Sequence, residues 1–178
     1  MAKISPDAVT QARAYQELLL TLLGEDEPDS VQEGTEAAVR SVLKDAASDL
    51  RERPAAAEWS VMELLGHLAD AEMVMSARYR WTLSQDRPPL LGYDQDLWVT
   101  RLRHEDDQPD ELLAVFSALR AANLQLWRRS SADDRQRVAM HTERGPESYE
   151  LMFRMLAGHD RFHLNQMRDT LRQLRAGR

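Results

Sequence analysis

Apolar residues recur along this chain at intervals of three and four, the rhythm of helices that bury one face. Val9, Ala12, Leu19, Leu22 and Leu23 make the first stripe. It opens at Ser5-Pro6-Asp7, a capping hydroxyl followed by proline where a missing N–H is harmless, and it ends at Gly24 and the acidic run behind it. A second, shorter helix is predicted from about 35 to 50, with Val39, Val42, Leu43, Ala46 and Leu50 on one side and Pro54 as its stop. Ser60 and Glu63 have the spacing of a capping box, and the helix they open is predicted to reach about Ser84. Its buried stripe reads Val61, Leu64, Leu65, Leu68, Ala71 and Met75.

Residues 86–108 form a long connection holding Pro88-Pro89, Gly92, Tyr93 and Trp98. A link of that length is expected to cross one end of a bundle. Pro109 opens the next helix, with Leu112, Leu113, Phe116, Leu119, Asn123 and Trp127 at core spacing. An irregular stretch, 130–147, has room for a short extended piece near Val138 to His141. The last helix runs from about Ser148 to Leu174 and turns Met152, Met155, His159, Phe162, His163, Gln166 and Thr170 inward.

No strand alternation of useful length and no repeat interrupts this pattern. The expected fold is all-α: a four-helix bundle with a long crossover connection and one or two short extra helices, in one domain spanning residues 1–178.

Composition narrows the chemistry. Hydrophobic residues at 43% and charged residues at 30% suit a soluble globular protein. The net charge of -7 disfavours a nucleic-acid partner, which needs a basic face. The arginines of the last helix, Arg161, Arg168, Arg172, Arg175 and Arg178, read as a solvated helix end. There are no cysteines, so any metal site must use nitrogen and oxygen donors. Met1 to Asp7 is polar and unlike a signal peptide, and no segment is apolar enough to span a bilayer. The protein is expected to be cytoplasmic. No Gly-rich phosphate loop and no Gly-x-Ser-x-Gly elbow is present.

The candidate chemistry lies in two Gly-His pairs. Gly66-His67 sits in LLGHLADAE, and Gly158-His159 sits in LAGHDRFHLNQ with His163 four residues on. Residues i and i+4 share one helix face, so His159 and His163 are stacked neighbours. Such a pair is either a hydrogen-bonded core pair or part of a metal site. A third inward histidine shifts the balance, because several buried imidazoles need partners and one cation serves all three. Mid-helix glycine costs roughly 1 kcal/mol relative to alanine. Placing one directly before His67 and one directly before His159 suggests room for a neighbouring helix or a ligand to come close.

Other residues are weighed against these. Asp70 and Asp160 are candidates to orient a ligand imidazole, with a solvated carboxylate as the plain reading of Asp70. Glu72 lies near the inward stripe as a candidate buried acid. Asn165 and Gln166 are either substrate contacts or surface amides. Tyr93 and Trp98 are candidates to wall the pocket. His104, among Arg103, Glu105 and Asp106, reads as exposed, and His141 reads as a surface-loop histidine near the pocket mouth.

The text WSVMELLGHLADAE, the Trp-containing central connection and LAGHDRFHLNQ resemble the DinB-like (damage-inducible B, YfiT-type) superfamily over nearly the whole chain. The resemblance implies a four-helix bundle in which three histidines hold a divalent metal, often zinc or nickel. The first helical histidine corresponds to His67, and the HxxxH pair corresponds to His159 and His163. The superfamily includes mycothiol-dependent maleylpyruvate isomerase and bacillithiol or mycothiol S-transferases, so the implied activity is metal-dependent and possible with a low-molecular-weight thiol as cofactor. The leading expectation is thiol-dependent transfer or isomerisation of a small electrophilic substrate in stress response or detoxification. The alternatives are a non-catalytic metal-stabilised binding module and a thiol-independent metal-dependent hydrolase. Family bundles often pair, which makes a homodimer a further expectation.

Overall fold

The computed structural model describes residues 11–177. The predicted start at Ser5 lies outside them. The first helix, α1, is described over Ala12–Leu23 and buries Ala12, Tyr15, Leu19 and Leu23. Gly24 ends it at φ +64°, a conformation open mainly to glycine.

The second helix, α2, covers Pro28–Ala46 and starts a full two turns before the predicted point. Pro28 occupies the first turn and Asp29 faces the positive helix end, both helix-start features. Apolar periodicity misses this segment because its inward residues are polar. Gln32 donates to the Phe153 carbonyl and Thr35 to the Asp160 carboxylate. A 3₁₀ turn, Ala47–Asp49, follows.

α3 spans Val61–Ser84, and its capping box is fully formed between Ser60 and Glu63. Residues 61–72 are buried on every side, so the predicted stripe understates how deeply this half of the helix lies. The crossover carries β1 (Pro89–Leu90), α4 (Gln95–Leu102) and a 3₁₀ turn, His104–Asp106. α5 covers Pro109–Arg129, and α6 is a single turn, Ala132–Arg135. β2 (Val138–His141) and β3 (Gly145–Ser148) form a hairpin, and β1 pairs in parallel with β2. α7, Tyr149–Ala176, is capped by the Ser148 hydroxyl, which accepts from the Leu151 N–H.

The four long helices α2, α3, α5 and α7 form the bundle. α7 packs against α2 and α3, α5 closes the other side against the same two, and α1 lies along the outer flank of α7. The three-stranded patch, in the order β1-β2-β3, ties the crossover to the α7 entrance. One apolar cluster centres on Leu64, Leu68, Phe116 and Met167. A second, rich in aromatic rings, joins Tyr79, Trp127, Tyr149 and Phe153 below the sheet. Trp127 and Phe153 stack face to face at 4.1 Å.

Both mid-helix glycines mark close approaches. A Cβ on Gly158 would collide with the Leu19 backbone of α1, and a Cβ on Gly66 would collide with the His104 ring. The room expected beside His67 and His159 is thus taken up by another part of the chain.

Candidate metal centre

α3 and α7 run side by side through the middle of the bundle, and each presents its histidines to the other. His67 comes from the first third of α3, and His159 and His163 come from successive turns of α7. All three are buried. His67 Nε2 lies 3.0 Å from His159 Nε2 and 3.1 Å from His163 Nε2. The structure brings together all three residues singled out in the sequence.

The protonation of these rings bears on whether they fit a cation. The side-chain carbonyl of Gln166 lies 2.9 Å from His163 Nδ1 and accepts its N–H, so His163 Nε2 presents a lone pair. Burial first, then the neighbouring His163 and His67 and the Arg120 charge, hold His159 well below the ordinary imidazole pKa, so it is neutral. His159 Nδ1 has no hydrogen-bond partner among the described residues. Nitrogens from three rings crowd one point, where a single His67 N–H would have to be shared between two acceptors, whereas a cation takes a lone pair from all three. Tetrahedral nitrogens about 2.1 Å from zinc lie roughly 3.4 Å from one another, so the observed spacings need only a small outward shift. One donor atom from each of the three residues lies within 4.8 Å of the others. The donor set fits a divalent metal, since three protein ligands leave coordination positions for others.

The surroundings make this a rigid place. Trp59 packs on His67 at 5.1 Å and lies near-parallel to His163 at 6.4 Å. Behind His159, a buried network crosses the bundle. Arg120 of α5 pairs with Asp160 of α7 and, at 2.8 Å, with Glu72 of α3. It also donates to the Gln32 carbonyl of α2. Asn123 donates to the free oxygen of Glu72, and Ser76 donates to Asn123. Burial pushes Glu72 above the usual carboxylate range despite its arginine. One guanidinium thereby links all four bundle helices beside the centre.

Several sequence expectations resolve here. Asp160 is buried but bonds Arg120 and Thr35, not an imidazole. Asp70 is buried rather than solvated and bonds His104 at 2.8 Å. Glu72 is the buried acid it was expected to be. Gln166 orients His163, and Asn165 is an exposed amide. His104 is not exposed: it is 4% accessible, packed over Gly66 and held between Asp70 and Asp107. His141 is also buried, in β2, where it lines a cavity.

That cavity measures about 90 Å³ and reaches His159 from the sheet end of the bundle. Its walls are mostly apolar, with Leu19, Met75, Met152 and Met155 among them. Of the two candidate wall residues Tyr93 lines it, while Trp98 stands behind, 4.5 Å from the Tyr93 ring. Tyr15, Arg78 and Arg144 also face it, and none of these was singled out in the sequence. For Arg78 the signal was available: residues 67, 71, 75 and 78 follow one helix face.

A helical bundle with three converging histidines beside an apolar cavity defines a class of candidate metal proteins. The chain belongs to the DinB superfamily, whose family model matches residues 29–167. It is 28% identical over 107 residues to "Putative metal-dependent hydrolase OB0782" of Oceanobacillus iheyensis, covering 60% of this chain and 61% of that protein. It is 24% identical over 119 residues to "Putative metal-dependent hydrolase OB0413" of the same organism, covering 64% and 65%. Each match thus spans less than two thirds of the relative. In three dimensions the chain is similar to YfiT from Bacillus subtilis, described as "a probable metal-dependent hydrolase with an unusual four-helix bundle topology". That likeness has a TM-score of 0.74 at 18% identity and covers 98% of this chain and 93% of the other. It supports the bundle fold. Among the described residues no helix is long and apolar enough to cross a membrane.

Proposed function

We propose that this protein is a divalent-metal-dependent hydrolase acting on a small organic molecule, with His67, His159 and His163 as the protein ligands. The observation that carries the reading is the meeting of three buried imidazole nitrogens, one of which belongs to His159, a residue that lines a cavity. The names given to the two curated relatives support the hydrolytic class. An all-nitrogen donor set without thiolate suits zinc or nickel. Bound there, a divalent cation supplies Lewis acidity to a substrate carbonyl or to water.

The protein's own part is to hold and to exclude. Gln166 fixes the His163 tautomer. Burial keeps His159 neutral and so able to donate a lone pair. The Arg120 network fixes α3 and α7 relative to each other. The methionine-lined wall keeps the approach to His159 largely apolar.

Metal analysis of the purified protein and of His163→Ala tests the centre. We expect about one zinc or nickel per chain in the parent and loss of most of it in the variant. Equal metal content in both overturns the reading. A screen of small esters, amides and lactams without added thiol tests the reaction. The second reading is thiol-dependent transfer or isomerisation. It rests on the superfamily resemblance and on the cavity's access to His159, since a chain without cysteine must take its thiol from solution. Turnover that requires bacillithiol, mycothiol, glutathione or coenzyme A selects it over hydrolysis. Bound metal that raises stability while no substrate turns over selects a non-catalytic module.

A further inference from the structure

Arg78 is an unusual residue to find where it is. It lies on α3, three turns beyond His67 on the same helix face, and is 6% exposed. Among the described residues no carboxylate pairs with it. Its donors reach the Leu91 carbonyl, the Met75 sulfur at 3.8 Å and His141 Nε2 at 3.3 Å. A buried guanidinium with only such partners leaves its charge uncompensated, which is costly in a folded protein.

The contact with His141 sharpens the point. The backbone N–H of Glu143 donates to His141 Nδ1 at 3.2 Å, so that nitrogen carries a lone pair. Burial and the Arg144 and Arg78 charges hold His141 down to about 3, so the ring is neutral and carries a single N–H. That N–H is therefore on Nε2, and it faces the Arg78 guanidinium, which is also a donor. Two donors converge with no acceptor between them. A third stands in the same cavity: the Tyr15 hydroxyl is buried and without a hydrogen-bond partner among the described residues. Nearby, Arg144 is neutralised by Glu147, and Glu143 lies exposed at the mouth.

We infer that this end of the cavity is the binding site for the carboxylate of a small organic acid, received by Arg78, His141 Nε2 and the Tyr15 hydroxyl, with the apolar body of the ligand lying along the methionine wall towards His159. A carboxylate is planar and accepts from several donors at once, which matches a guanidinium flanked by an imidazole N–H. The apolar wall accounts for the rest of the molecule. The inference deepens the hydrolase reading, on which its direction rests: an acid anchored at Arg78 would present its far end to the histidines.

Calorimetric titration of the purified full-length protein with hexanoate, hexanol and hexyl phosphate tests it, with metal content measured alongside. We expect hexanoate to bind at least tenfold more tightly than hexanol. Arg78→Gln should remove that preference without changing metal content, and Tyr15→Phe should weaken hexanoate severalfold. Equal binding of hexanoate and hexanol overturns the inference, and this comparison needs no variant to fold. A tenfold preference for hexyl phosphate overturns the carboxylate assignment. Hexanoate binding that survives Arg78→Gln but disappears in His163→Ala places the acid on the ion and also overturns it. If instead the metal content of His163→Ala is unchanged while the Arg78-dependent preference holds, the metal reading fails and the anion site stands.

Discussion

His104 and Asp70 are joined by a 2.8 Å bond from the crossover connection to α3, one helical turn beyond His67. The ring packs over Gly66, and its other nitrogen bonds Asp107 at 2.8 Å. The hydrogen bond to Asp70, seconded by that to Asp107, raises the imidazole from 6.5 to about 9. Its stabilising contribution is therefore complete below about pH 6.5, where folded and unfolded chains both hold the proton, and is lost as pH rises through 9. Urea-unfolding midpoints measured from pH 6 to 10 should fall across that window. The fall should be much smaller in Asp70→Asn; an equal fall in the variant would contradict the assignment.

His141 behaves in the opposite sense. Its folded pKa of about 3 means that the native ring stays neutral while the unfolded chain takes up a proton below about 6.5. The stability it contributes is present above pH 6.5 and is lost as pH falls towards 3. Imidazole nitrogen NMR at pH 5 should show a neutral ring protonated on Nε2. A charged ring would contradict the lowered pKa, and a neutral ring with its proton on Nδ1 would remove one of the three donors assigned to the carboxylate.

Breaking the Arg120 network should be severe. Arg120→Met leaves Asp160 buried without its cation, and Glu72 loses the same partner. Removing one member of a buried pair costs about 3–5 kcal/mol. Chemical denaturation should register that loss. A cost below about 1 kcal/mol would mean that water reaches Asp160.

The glycines predict a reversal of the usual helix rule. Alanine at an exposed helix site stabilises by roughly 1 kcal/mol over glycine. At Gly158 the added methyl meets the Leu19 backbone of α1, and backbone cannot swing aside as a side chain can. Gly158→Ala should therefore lower Tm, and limited proteolysis should cut α1 faster.

Gln166 offers a subtler test of the centre than deleting a ligand. Its carbonyl accepts the Nδ1 proton of His163. Gln166→Leu should keep the fold and weaken metal affinity about 10–100-fold, the usual effect of losing such an orienting partner. Competition with a chromogenic chelator reads this directly.

Much of the architecture was legible because apolar spacing and caps carry it. Ser60 and Glu63 announced α3, and Pro109 and Ser148 announced α5 and α7. Helical periodicity placed His159 and His163 on the inward face of the last helix and His67 on the flank of the α3 stripe. What escaped was polar burial. Gln32 and Thr35 hid the start of α2, because hydrophobic periodicity does not register residues buried for their hydrogen bonds. His104 looked solvated among Arg103, Glu105 and Asp106, since nothing local shows that Gly66 leaves a seat for its ring. Arg78 and His141 are brought together by β1–β2 pairing across some fifty residues, a long-range contact that local pattern cannot reveal.

The small sheet has one more consequence. The histidines stand on long helices clamped by Arg120, whereas His141, Tyr93 and the Leu91 carbonyl belong to the crossover and the hairpin. Frame and mouth are separable parts. Insertions or exchanges in the strand patch could retune which molecules are admitted while the inner chemistry stays untouched, much as a lock barrel can be re-pinned without replacing the door.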